Sequence, residues 1–185
     1  ERLRAVAGAY RRGARFGYAG FASPTREGVA AYGPLREAIG VAAAEAERAA
    51  GDAGCPFIQQ SASMPWGQVV ALQRSADVVF TSSLADGMNL VPLQAAFAQS
   101  AKPAGERAVV LCGVGTGVAE AYADCVGEGL AIVDPLDGEA MVTALEEALA
   151  GRPGRVTDRT IGQIRGRDAR HWATGYLSDL MGTQR

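Results

Sequence analysis

The stretch Ser82-Ser83-Leu84-Ala85-Asp86-Gly87-Met88-Asn89-Leu90-Val91-Pro92-Leu93-Gln94 sets an acid and a glycine at the mouth of an apolar segment. Asn89 is a strong N-cap residue type, able to satisfy an early orphan N–H of a helix that begins there. The N–H groups of Leu90 and Val91 would then project from a helix start carrying roughly half a positive charge. Pro92 costs little in a first turn, because its missing N–H would have been unpaired anyway. Gly87 removes a side chain where a phosphate oxygen would need to approach the backbone. Asp86 would repel phosphate, so it makes sense beside neutral hydroxyls attached to that phosphate. A diphosphate on the helix with a polyol against the carboxylate describes a nucleotide-sugar. A helix merely capped by Asn89, with Asp86 favouring its dipole, fits the same residues.

A second glycine-rich turn competes with the first. Val109-Val110-Leu111-Cys112 runs into Gly113, Gly115 and Gly117, and Asp134 closes the next apolar run. This imitates a dinucleotide-binding fingerprint. The third glycine of that pattern belongs at 118, which is Val118, and three strand-like runs precede the turn. A turn that lets backbone approach some ligand closely is the better expectation.

Five runs rich in β-branched or aromatic residues predict strands at 15–21, 56–60, 77–82, 108–112 and 130–134. Helical patterns fall at 1–12, 27–50, 66–75, 89–100, 116–125, 138–150 and 159–181. Strands that are apolar throughout, alternating with helices, predict an α/β fold with a doubly wound parallel sheet of Rossmann-like type. At 185 residues the chain suits one well-cored domain over 1–185. Ligands of such sheets bind beyond the carboxyl ends of the strands. The turns at 22–28, 61–66, 82–91, 113–117 and 134–138 are therefore the places to look. A net charge of −2 argues against nucleic acid as a partner. No apolar stretch reaches membrane-spanning length, and no signal peptide is visible. Cys55, Cys112 and Cys125 form no paired motif, which fits reduced thiols in a cytoplasmic protein. No spacing suggests a metal site. The chain opens in a helical pattern without a methionine, as a piece of something longer would.

Asp86-Gly87-Met88-Asn89-Leu90-Val91 between an apolar strand and a helix resembles the trehalose-6-phosphate synthase family of GT-B glycosyltransferases. The segments 22–32, 131–137 and 171–180 resemble further family motifs. The resemblance implies the C-terminal, donor-binding half of a two-domain retaining enzyme, ending in a long helix, with its N-terminal acceptor domain absent and this half inactive alone. It also implies that Asp86 accepts hydrogen bonds from donor hydroxyls. The backbone of Gly87, Met88 and Asn89 would approach the transferred ring and diphosphate, and the Leu90 and Val91 N–H groups would hold phosphate. Ser63, Met64 and Val69 would line the base pocket, and Arg26 would reach the acceptor's phosphate. No separate cofactor is implied, only a nucleotide-diphosphate donor, a phosphorylated acceptor, the N-terminal domain and a possible homodimer.

Two departures from the family pattern fall in the donor pocket. The family's ribose-gripping glutamate is Gln94 here, and Ala85 replaces an arginine. An amide offers one acceptor and one donor where a carboxylate accepts twice with charge assistance. These changes resemble the pseudoglycosyltransferase branch, which couples GDP-valienol to validamine 7-phosphate with retention, forming validoxylamine A 7'-phosphate for validamycin antibiotic biosynthesis. The reading is a GDP-linked cyclitol transferase. The alternatives are an α,α-trehalose-phosphate synthase using UDP- or GDP-glucose and glucose 6-phosphate, and a non-catalytic nucleotide-binding module. His171, next to Trp172, is expected to be structural.

Overall fold

The apolar runs do become strands, and each is followed by a helix. A computed structural model of the chain describes residues 1–23, 28–152 and 154–182; Arg26, expected at the acceptor phosphate, lies outside them. The order is α1 (Arg2–Arg11), β1 (Tyr18–Ala22), α2 (Gly33–Asp52), β2 (Phe57–Ser61), α3 (Trp66–Ser75), β3 (Val78–Phe80) and α4 (Leu90–Ala98). Then follow β4 (Val109–Gly113), α5 (Gly117–Ala121), β5 (Leu130–Val133), α6 (Gly138–Leu149), α7 (Asp158–Gly166) and α8 (Ala169–Leu180). Every ladder between these strands is parallel. The α/β class with parallel strands is the one the alternation predicts.

The strands form two sheets rather than one. β1 pairs with β2, and β3, β4 and β5 form a three-stranded sheet with β4 in the middle. Burial follows this division. All five residues of β4 are buried, whereas β3 is only half-buried along its length. β4 shows why a doubly covered strand must be apolar at every position. Val109 and Leu111 join the cluster built with α1, α2 and α6, and Val110 and Cys112 join the one built with α4, α5 and α7. Successive side chains point to opposite faces. Neither face meets water, and each fully buried aliphatic side chain contributes about 1.5–3 kcal/mol.

Helix boundaries follow local capping chemistry. The Asp137 carboxylate accepts from the Ala140 N–H at 2.9 Å and starts α6, and the Thr157 hydroxyl accepts from Thr160 at 3.2 Å to start α7. The single terminal helix expected over 159–181 is instead two helices. α7 stops at Gly166, and Asp168 starts α8 by accepting from the His171 N–H at 2.9 Å. Glycine is a poor interior helix residue and aspartate a good N-cap, so the break costs little. The helices expected at 27–50 and 116–125 are also shortened, with 3₁₀ turns at Ala30–Tyr32 and Ala123–Cys125. α8 buries none of its residues, and Trp172 stacks on Tyr176 at its surface. His171 is exposed there. Among the described residues no helix is long and apolar enough to cross a membrane.

The three cysteines are free thiols, with Cys112 and Cys125 buried and Cys55 partly exposed. Burial pushes the Cys112 thiol up to about 11, so almost none of it is the reactive thiolate near neutral pH. Titration of the native chain with a thiol reagent at pH 8 should therefore show one fast equivalent, at Cys55. The other two should appear only on unfolding. Three equivalents reacting at one rate would contradict this packing.

Candidate functional site

The strand β3 delivers the chain to the site. Beyond it, the Thr81 N–H still donates to the Leu111 carbonyl of β4, at 2.9 Å. The loop 82–89 then runs alongside the turn 113–117, joined to it by backbone hydrogen bonds. The Asp86 N–H donates to the Gly115 carbonyl at 3.1 Å, and the Gly117 N–H to the Asp86 carbonyl at 3.1 Å. One step on, the Val118 N–H donates to the Met88 carbonyl at 3.2 Å. Asp86 and Thr116 form an isolated parallel bridge there.

This contact explains the three glycines. A Cβ on Gly113 would press on the Ser83 carbonyl, one on Gly115 on the Leu84 carbonyl, and one on Gly117 on the Gly87 carbonyl, each far inside contact distance. The alternate spacing is a strand-like register that presents bare backbone to a neighbouring loop. The expectation of a turn open to a ligand is thus corrected: what approaches these glycines is the protein's own 83–88 backbone. The resemblance to a dinucleotide fingerprint has the same cause.

Inside the loop, one Asp86 carboxylate oxygen accepts from the Asn89 N–H at 2.9 Å and from the Met88 N–H at 3.3 Å. The other has no protein partner among the described residues, and the side chain is exposed. Asn89 stands at the N-cap position, but its side chain does not cap the helix as expected. Its backbone lies in the left-handed region, at φ 58°, and its amide instead donates to the Ser83 hydroxyl at 3.0 Å. Left-handed backbone carries the side chain away from the helix axis, and Asn tolerates it better than most residues. Asp86 thus takes over an N–H that would otherwise be orphaned. The Leu90 and Val91 N–H groups begin α4 with no acceptor among the described residues.

Met64, Val69, Val91 and Gln94 come together on the wall of a groove of about 970 Å³. Gln94 is half-buried, and its amide makes no hydrogen bond among the described residues. Ser63 is exposed and does not line the groove. Asp86, Gly87, Met88 and Leu90 form an exposed rim outside it. Sequence reasoning missed Ser83 and Thr116, which hold the loops: the buried Thr116 hydroxyl donates to the Gly113 carbonyl at 2.8 Å. It also missed Trp66, which lines the groove from the start of α3. An aromatic opening a helix directly after a strand-to-helix turn was the available signal for Trp66. Among the described residues no group of three or more His, Cys, Asp or Glu is placed to hold a metal ion.

The architecture is a mixed α/β fold with parallel strands, similar to the GT-B fold of trehalose-phosphate synthases. The chain belongs to glycosyltransferase family 20, whose model matches residues 18–182. An α,α-trehalose-phosphate synthase (UDP-forming) of Yarrowia lipolytica is 27% identical over 121 residues, covering 64% of this chain and 24% of that protein. A synthase of the same name from Burkholderia xenovorans, solved with glucose-6-phosphate, superposes with a TM-score of 0.79. It is 26% identical, and the match covers 97% of this chain and 40% of that one. The E. coli protein solved with UDP-2-fluoro glucose gives a TM-score of 0.75 at 25% identity, covering 97% and 39%. The chain thus spans about two fifths of the length of these solved relatives, and about a quarter of the curated one.

The glycine contact can be tested through stability. Gly115→Ala should destabilise the chain by about 2 kcal/mol or more, since a methyl group would have to displace backbone. Gly87→Ala, with open space around its Cβ position, should change the urea midpoint little. Equal effects of the two substitutions would contradict the packing of the loops.

Proposed function

We propose that this chain is the donor-binding half of a family 20 transferase that moves a sugar from a nucleoside diphosphate to a phosphorylated sugar acceptor. One observation carries the reading. Two N–H groups with no acceptor among the described residues open α4, beside an exposed carboxylate with one oxygen that has no partner among them either. The N–H groups and the helix dipole suit the negative charge that develops on a departing diphosphate. The free Asp86 oxygen suits the hydroxyls of the transferred ring, and the Met64, Val69 and Gln94 wall suits the nucleoside. Retention of configuration asks that the acceptor attack on the face the diphosphate leaves. An electrostatic frame does this work without a side-chain nucleophile.

The relatives favour the α,α-trehalose-phosphate synthase reading, with UDP-glucose and glucose 6-phosphate as substrates, over the cyclitol reading. Gln94 and Ala85 keep the second reading in view. They sit where the family's glutamate and arginine stand, as a changed donor such as GDP-valienol would require. In either case Arg26, Ser63 and the backbone of Gly87, Met88 and Asn89 are proposed contacts.

The full-length protein should form trehalose 6-phosphate from UDP-glucose and glucose 6-phosphate faster than it couples GDP-valienol to validamine 7-phosphate. Asp86→Ala should lower kcat/KM at least about 100-fold, the scale of losing about 3 kcal/mol of transition-state stabilisation. Turnover of the cyclitol pair alone would select the second reading, and turnover of neither with no nucleotide bound would leave a non-catalytic module. Gln94→Glu should tighten UDP binding about fivefold by calorimetry, close to 1 kcal/mol, through a charge-assisted bond to ribose. Unchanged affinity would remove Gln94 from the ribose.

A further inference from the structure

We infer, on the donor-binding reading above, that Trp66 is the stacking platform for the nucleobase and that the site takes purine and pyrimidine diphosphates with similar affinity. Trp66 is the first residue of α3, and it is 60% exposed. Trp172, the other tryptophan, covers one face of its ring by stacking on Tyr176. Among the described residues no ring stacks on Trp66. An indole left bare forfeits contact on a large apolar surface, and a flat ring is the partner that recovers most of it.

Two helices that pack together, α3 and α4, line the groove at this point. Trp66, Val69 and Gln73 lie three and four residues apart, so they share one face of α3. Burial deepens along that face, from exposed Trp66 through half-buried Val69 to buried Gln73, which sets the indole at the mouth. Val91 and Gln94, again three apart, supply the share of the wall that comes from α4. Val91 also belongs to the opening turn of that helix, where the N–H groups suited to a diphosphate stand. A nucleotide with its diphosphate there and its ribose against Gln94 carries its base across the groove towards α3.

The chemistry of this wall decides how much it can discriminate. Val69 and Val91 have no side-chain group that hydrogen-bonds, the Met64 thioether is a weak acceptor, and Trp66 offers a single donor. Such a surface does not read the polar edge that distinguishes guanine from uracil. Rejection on the order of 10,000-fold comes from polar groups that the wrong ligand leaves unpaired, and apolar contact supplies far less. Stacking on an aromatic face, by contrast, is open to every base, because every base has a π face. Trp66 therefore contributes affinity for the nucleotide with little choice between bases, and selection of the donor falls to the diphosphate, the ribose and the transferred ring.

Calorimetry on the full-length protein with UDP, GDP and pyrophosphate tests this apart from turnover. UDP and GDP should bind within about tenfold of each other. Trp66→Ala should weaken both by about tenfold or more, and Trp66→Phe should recover much of the loss. Pyrophosphate should bind the wild type and both variants equally. Affinities for UDP and GDP that differ by more than about 100-fold leave the donor-binding reading standing and overturn this one. So does a Trp66→Ala protein that binds both nucleotides as tightly as the wild type. A Trp66→Ala protein that loses pyrophosphate to the same degree as UDP marks Trp66 as structural and overturns the stacking role too. Binding of neither nucleotide by the wild type overturns both readings together.

Discussion

The candidate site depends on one backbone contact, the pairing of the 83–88 loop with the 113–118 turn. Three hydrogen bonds at 3.1–3.2 Å join them, and the alternate glycines allow the two backbones to come that close. Each such bond is worth on the order of 1 kcal/mol net. Their larger effect is geometric. With Asp86 held through its own N–H and C=O, one oxygen of its carboxylate accepts from the Met88 and Asn89 N–H groups. That pull goes with the left-handed turn at Asn89, and the turn aims the start of α4 outward. The start of α4, whose Leu90 and Val91 N–H groups have no acceptor among the described residues, is thus tied to glycines more than twenty residues further along the chain.

Most of the frame could be read from the sequence because burial on two faces leaves a plain mark. β4 must be apolar at each position, and 108–112 is. Caps were legible where one side chain acts alone, as with the aspartate that starts α6. What escaped involves two segments at once. Gly113, Gly115 and Gly117 carry a strand-like spacing of two, but nothing local says whether the partner is a phosphate or another loop. Asn89 has the right residue type for a cap, yet the tie from Asp86 sets its φ and sends its amide to Ser83. The break at Gly166 and Asp168 was readable from glycine and capping propensity; helical periodicity on both sides concealed it.

The split sheet escaped for a different reason. Periodicity reports whether a strand's faces are covered and says nothing of what lies along its edges. β1 and β3 have the composition of interior strands, and alternation alone makes them neighbours in one sheet. The observed pairing contradicts that, because β1 bonds to β2 and β3 to β4, in two separate sheets. The half-burial of β3 has the same origin.

Electrostatics then limits what the start of α4 can do by itself. On the proposed reading, a helix start supplies roughly half a positive charge against a leaving diphosphate that would bear several negative ones. Ala85 stands where a cation would have helped, and Asp86 adds charge of the opposite sign at the rim. On that reading the α4 N-terminus would orient a diphosphate better than it would neutralise one, and stabilising the transition state would require cations from elsewhere.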